Sequence, residues 1–283
     1  MKPVPDQHYP APHGLDLSTW DEGYLHIKGF FSSKQVEAMR AELDRLWDVR
    51  KKPDNPYVID VFIGTPRERR ALFRSVPDEA RKHPYKLNDL FLDNEIIQDA
   101  ILNLGLVDAL SYLLQNNPVV CNTLTFEYGS QQRLHFDTFY MPPVTENQML
   151  ASWIALDPVR PENGPLRYVP GSNKIPPYLF SRDTTHAMPE EMPQFDAYID
   201  QALAAENLEV VDLSAEPGDL FIWHAQLYHG GAPIVDPSIT RRSIVTHYFS
   251  TADVGEGDRQ DLGCGRFILK RNHQTAQEWS VQP

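Results

Sequence analysis

Cysteine is almost absent: Cys121 and Cys264 are the two in 283 residues. With no C-x-x-C pair, a thiolate zinc site and a disulfide framework are both disfavoured, and a reducing cytoplasm is the expected compartment. Basic residues are also in deficit. Lys and Arg number 26 against 39 Asp and Glu, a formal net charge of −13, which argues against nucleic-acid and anionic-membrane partners, since both need a cationic face. No apolar run approaches the length of a membrane span. The opening Met-Lys-Pro-Val-Pro-Asp-Gln-His-Tyr-Pro has no apolar signal core. Repeats and low-complexity tracts are missing as well. These absences leave a small molecule as the expected partner of a chain that is a monomer or a homodimer, and the length suffices for one large domain.

In chain order, residues 1–17 read as a Pro-rich extended arm, 24–27 as a short strand, and 33–48 as an amphipathic helix. That helix carries Val36, Met39, Leu43, Leu46 and Trp47 at helical spacing behind an N-cap at Ser32 or Ser33. A strand at 57–64, a mobile basic stretch at 65–85, a short strand at 86–91 and one helix over 95–115 follow. From 119 to about 249 the texture becomes short β segments between turn signals, at 119–128, 132–137, 148–157, 166–169, 209–213, 219–223, 226–229 and 241–250. An insertion at 176–206 carries a helix and reads as a possible lid, and 251–283 reads as an irregular tail. Helices first and many short strands afterwards predict an α+β architecture with a jelly-roll core.

The chemistry gathers in a few places. His135 and Asp137 are two residues apart, so in a strand they share a face and can aim at one metal ion; an edge-strand polar pair is the alternative. His229 in Tyr228-His229-Gly230-Gly231 is the preferred second histidine, because the glycines permit close backbone approach; His224 and His247 compete with it. Two histidines and a carboxylate on one side of a metal make the facial arrangement of non-haem Fe(II) oxygenases. Arg241 or Arg242 offers a planar fork for a carboxylate such as the far end of 2-oxoglutarate. Strand alternation lets only one of them point inward, and a solvated edge is the other reading. Tyr140 and Trp153 either line the pocket or pack in the core.

Together these pieces resemble the phytanoyl-CoA dioxygenase family of Fe(II)/2-oxoglutarate oxygenases, over nearly the whole chain. Gly23-Tyr24-Leu25 and Gly29-Phe30-Phe31-Ser32 ahead of a helix are similar to the family's opening. His135-Phe136-Asp137-Thr138-Phe139-Tyr140 matches its H-x-D-x-x-Y, and Trp153 stands at its tryptophan position on the next strand. Asn163-Gly164-Pro165-Leu166 and Pro170-Gly171-Ser172-Asn173-Lys174 resemble its N-G-x-L and P-G-S-H-K, with Asn173 replacing a histidine that is not a metal ligand. Pro217-Gly218-Asp219-Leu220-Phe221 and His229-Gly230 resemble the segment of the distal histidine, and Arg241-Arg242-Ser243 its R-R-A, with roughly one extra residue in the intervening loop. Lys86 stands where some members supply a lysine to the cosubstrate pocket.

The resemblance implies a single domain over 1–283 with a double-stranded β-helix (jelly-roll, cupin-like) core and flanking N-terminal helices. It divides the chain into a mainly helical 1–118, a core at 119–250 with the insertion, and the tail. It implies Fe(II) held by His135, Asp137 and His229, with 2-oxoglutarate anchored by Arg241, or by Arg242 in its place, and Trp153 and Lys86 in the cofactor pocket. With O2 as oxidant, the expected reaction hydroxylates an unactivated C–H bond of a small molecule and releases succinate and CO2. Related halogenases carry a small residue where Asp137 stands, so its carboxylate favours hydroxylation. A cupin-type metal-dependent isomerase or hydrolase and a non-catalytic β-sandwich binding protein are the rival readings. The residues carry no legible motif for the substrate.

Overall fold

The computed structural model describes residues 9–181 and 183–280; part of the expected N-terminal arm lies outside them. β1 (Tyr24–Ile27) leads into α1 (Ser33–Val49) through a capping box in which Ser32 and Gln35 each accept from the other's backbone N–H. β2 (Val58–Val61), β3 (Arg69–Leu72) and β4 (Tyr85–Asn88) follow. The stretch at 65–85, expected to be mobile, is ordered and packed. Phe73, Val76 and Ala80 are buried between its basic residues and anchor it. The single helix expected over 95–115 is two, α2 (Glu95–Ile101) and α3 (Leu104–Leu114), bent by 48°. Asn103 makes the break: its side chain accepts from Gly105 N–H and so caps a new helix. No single helix among the described residues is long and apolar enough to cross a membrane.

The β-rich part comprises β5 (Pro118–Phe126), β6 (Met149–Ala155) and β7 (Leu166–Tyr168), then α4 (Met192–Glu206). β8 (Val211–Asp212), β9 (Leu220–His224), β10 (His229–Gly231) and β11 (Ser243–Ser250) complete it. The tail, expected to be irregular, adds β12 (Arg259–Asp261) and β13 (Phe267–Leu269). The large sheet runs β1-β9-β6-β11-β5-β4-β2-β3, with β13 beside β5 and β12 beside β13; the small sheet runs β10-β7-β8. The N-terminal part is therefore less helical than expected, since β1–β4 all join the large sheet. Its helices cover one face of that sheet. Ile59, Leu87, Ile154, Ile222 and Ile244 share a core with Met39 and Leu43 of α1 and with α2 and α3. The alternate residues Trp153, Phe221 and Trp223 meet Leu166 and Tyr168 of the small sheet in a second core. This is the jelly-roll arrangement, and the period-2 alternation of β6 and β9 produces both cores from one set of strands.

Register places three cross-strand rows on the inner face. Arg70, Asp60, Lys86, Phe126 and Ser243 form one. Asn88, Leu124, Val245, Trp153 and Phe221 form the next. Asn122, His247, Ala151 and Trp223 form the third.

Candidate active site

A cavity of about 240 Å3 opens over these rows. His135 and Asp137 reach it, but not from the strand expected at 132–137. His135 makes one antiparallel bridge with His229, its N–H donating to His229 O at 2.8 Å and its carbonyl accepting from His229 N–H at 3.0 Å. A 3-10 turn over Asp137–Phe139 follows immediately, because Tyr140 and Met141 N–H both bond to Asp137 O. Phe136 between the two keeps an extended backbone (φ −99°, ψ 143°), so the two side chains still emerge on one side. The strand expected at 226–229 likewise begins only at His229. The glycines after it are required for a different reason from the expected one. A Cβ on Gly230 would lie 2.7 Å from Gln132 O, and one on Gly231 2.8 Å from Gln131 N. The close approach is to the segment leading into His135, and it brings the two histidines together.

His135 Nε2 lies 3.9 Å and His229 Nε2 3.5 Å from Asp137 Oδ1. All three residues are buried, and their ligand atoms lie within 4.8 Å of one another. Each imidazole's Nδ1 meets a backbone carbonyl, Arg133 O at 2.8 Å and Leu227 O at 2.9 Å. A carbonyl only accepts, so Nδ1 carries the proton and Nε2 turns its lone pair to the shared space. Burial, reinforced by neighbouring His229, lowers His135 to about 3 and keeps it neutral. Burial alone would raise the Asp137 carboxyl, but His229, His247 and His135 outweigh it and hold it well below the usual carboxylate range. Two lone pairs and one anion converging on one point fit a divalent cation.

Trp223 and His247 surround the carboxylate. Trp223 Nε1–H donates to Asp137 Oδ2 at 2.8 Å, which leaves Oδ1 facing the histidines, and His247 Nε2 lies 3.3 Å from Oδ1. Neither role was read from sequence, although a signal existed: Arg241, Ser243, Val245 and His247 are alternate residues and share one face of the last strand. Trp223, in the run Leu220-Phe221-Ile222-Trp223, looks like any core tryptophan.

Alternation also separates the two arginines. Arg242 Nε lies 3.0 Å from Asp157 Oδ2, away from the cavity. Arg241 is buried and lines the cavity. Its Nη1 donates to Ser243 Oγ at 3.2 Å, its Nε has no partner, and its guanidinium stands 5.5 Å from the Trp153 ring centroid. Burial, partly offset by Asp157, lowers it to about 10. No carboxylate among the described residues pairs with it. Trp153 is both core and cavity wall. Lys86 enters from β4 with Nζ 3.6 Å from Asp60 Oδ2. Tyr140, half exposed at the mouth, sets its ring edge-on to His135.

The sequence model described as Phytanoyl-CoA dioxygenase (PhyH) matches residues 20–243, which span β1 through Arg241 and include all three converging ligands. The chain belongs to the phytanoyl-CoA dioxygenase family. It is 25% identical over 225 residues to the peroxisomal phytanoyl-CoA dioxygenase of Bos taurus, covering 74% of this chain and 60% of the bovine protein. It is 22% identical to the phytanoyl-CoA dioxygenase domain-containing protein 1 homolog of Dictyostelium discoideum, covering 80% of this chain and 87% of that one. Among solved structures, the epimerase SnoN, crystallised with Fe3+, alpha ketoglutarate and nogalamycin RO, superposes with a TM-score of 0.61 at 18% identity. That superposition covers 84% of this chain and 82% of SnoN. EctD of S. alaskensis, with 2-oxoglutarate and 5-hydroxyectoine, gives 0.57 at 17% identity, covering 93% and 85%. Both likenesses are of fold. The family's jelly roll is thus the fold of this chain too.

Proposed function

We propose that this family member is an Fe(II)- and 2-oxoglutarate-dependent dioxygenase that hydroxylates an unactivated C–H bond of a small molecule. The observation that carries the proposal is the pairing of a three-donor cluster with a buried guanidinium that has no carboxylate of its own, in one cavity. Iron with 2-oxoglutarate and O2 supplies the oxidising power, with succinate and CO2 as co-products. His135, Asp137 and His229 would hold the metal. Trp223 and the backbone carbonyls of Arg133 and Leu227 fix the orientation of those ligands. Arg241, with Ser243 beside it and Trp153 below, takes the far carboxylate of 2-oxoglutarate. On this reading Lys86, which pairs with Asp60, does not bind the cosubstrate. Walls such as Phe126, Leu124 and Val245 keep water from the cosubstrate. Asp137, an anionic ligand, supports hydroxylation over halogenation. Cys121 and Cys264 are unpaired, which supports a reducing compartment such as the cytoplasm.

Anaerobic addition of Fe(II) and 2-oxoglutarate should give a weak visible charge-transfer band. If the band persists at normal intensity when His135→Ala and Asp137→Ala are combined, the iron assignment is wrong. A cupin-type isomerase or hydrolase would keep its activity in Arg241→Ala, and a metal-free binding protein would show no stoichiometric iron. Product analysis separates hydroxylation from the epimerase outcome named for SnoN.

A further inference from the structure

The cavity has an end that the metal and the cosubstrate leave unused. There Arg70, Asp60 and Lys86 stand opposite one another on β3, β2 and β4. Arg70 and Lys86 both line the cavity and share a single carboxylate. Arg70 grips Asp60 with Nε–Oδ1 at 2.7 Å and Nη2–Oδ2 at 2.9 Å, while Lys86 Nζ sits 3.6 Å from Oδ2. Burial would raise the Asp60 carboxyl, but Arg70 and Lys86 hold it below its usual range, so it stays charged. The last wall comes from the segment after β13. Gln274 lines the cavity, accepts from Arg70 Nη1 through Oε1, and donates from Nε2 to Asp89 Oδ2 at 3.0 Å. Asp89 is in turn engaged by Arg271. Arg70 is therefore oriented from two sides, by Asp60 and by the C-terminal segment.

Charge and polarity identify what this end receives. The cavity lining holds three cations, Arg70, Lys86 and Arg241, and one carboxylate, Asp137. Asp60 offsets one more cation. A divalent metal and dianionic 2-oxoglutarate cancel each other, and metal-bound imidazoles are neutral. One positive charge is left without an anion; Arg70 and Lys86 are partly solvated, so water screens the excess and it marks a preference for an anion at this end rather than a buried charge that must be paired. Beside these charges the end carries the amides Asn88, Asn122 and Gln274, with Phe126 and Leu124 paired directly to Lys86 and Asn88. A cavity of about 240 Å3 that must also house the cosubstrate leaves little room for a long acyl chain.

Resting on the iron and 2-oxoglutarate reading above, we propose that the substrate is a compact carboxylate held by Arg70 and Lys86. Gln274 of the C-terminal segment is a positioning residue that sets this preference by orienting Arg70. Gln274 lies beyond residues 20–243, the part matched to the family, whereas Arg70 and Lys86 lie within it.

The test uses the full chain loaded anaerobically with Fe(II) and 2-oxoglutarate. Its visible band is titrated with matched pairs of probes, short hydroxy- and amino-substituted carboxylic acids and their primary amides. At least one acid should shift the band at constant intensity with an affinity about tenfold or more above its amide, the scale of a charge-assisted contact. Arg70→Gln should bring that ratio to about one. Gln274→Ala should lower it several-fold, with melting temperature and 2-oxoglutarate affinity retained. Amides that match the acids, acids that only bleach the band by displacing 2-oxoglutarate, the absence of a shift with any acid, or a ratio preserved in Arg70→Gln would each overturn the proposal. The comparison of acid with amide in the unsubstituted protein stands even if a variant does not fold. A wild-type protein that forms no band before any probe is added fails the iron reading itself, which is a separate result.

Discussion

Arg241 carries a desolvation cost when no anion is present. A guanidinium buried this deeply, bonded to Ser243 Oγ and with Nε unpartnered, destabilises the cosubstrate-free protein. Two opposite effects follow for one position. Arg241→Met should raise the melting temperature of the protein without 2-oxoglutarate, and should weaken 2-oxoglutarate binding by about 10- to 100-fold, corresponding to roughly 1.5–3 kcal/mol for a charged hydrogen-bonded contact. Arg242→Gln should leave that binding nearly unchanged, because Arg242 is engaged by Asp157. Titration of the charge-transfer band reads both. Trp223 would act on a bound metal through its hydrogen bond to Asp137. Trp223→Phe keeps the ring in its core position but removes the donor to Oδ2, and should lower iron affinity about 10- to 100-fold; unchanged affinity would show the indole to be packing alone. His135, Asp137 and His229 were legible in the sequence because their residue types are rare in combination. Trp223 was not, because a core strand tryptophan has the same appearance whether or not its N–H matters.

The 176–206 insertion is a support at the scale of elements, not the lid expected from its position. α4 buries Phe195 and Ile199 against Phe136, Phe139, Phe180 and Tyr228. Phe136 lies between His135 and Asp137, and Tyr228 immediately precedes His229, so the helix backs both ligand-bearing segments from outside the cavity. Phe195→Ala should cost about 3–5 kcal/mol of stability and should also weaken iron binding, measured by urea unfolding and by metal titration of the folded fraction. A loss of stability with undiminished iron affinity would separate the helix from the site. The break between α2 and α3 is another element-scale correction. Helical periodicity continues across Leu102-Asn103, and only the cap made by Asn103 ends one helix and starts the next.

The whole molecule responds to pH through histidines buried neutral. Burial lowers His224 from 6.5 to about 4, and lowers His135 to about 3. Between roughly pH 4 and 6.5 the unfolded chain binds protons that the folded chain does not, so stability rises with pH across that window and falls on acidification. The metal-free melting temperature should drop between pH 7 and pH 5, and His224→Gln should reduce the slope of that drop whatever it does to stability at pH 7; an unchanged slope would assign the acid sensitivity elsewhere. The sequence by itself determined the jelly-roll class, the order of the ligands and the identity of the inward arginine to within one residue. Each of these rests on local alternation or on residue types in a fixed order. The tertiary structure decided the remainder. The ordering of 65–85 and the strands of the tail depend on partners distant in sequence. So does the wall that Gln274 and Arg70 build together, 204 residues apart. In the end, His135 and Asp137 face one point through a single bridge to His229 and one extended residue, without the regular strand their spacing predicted.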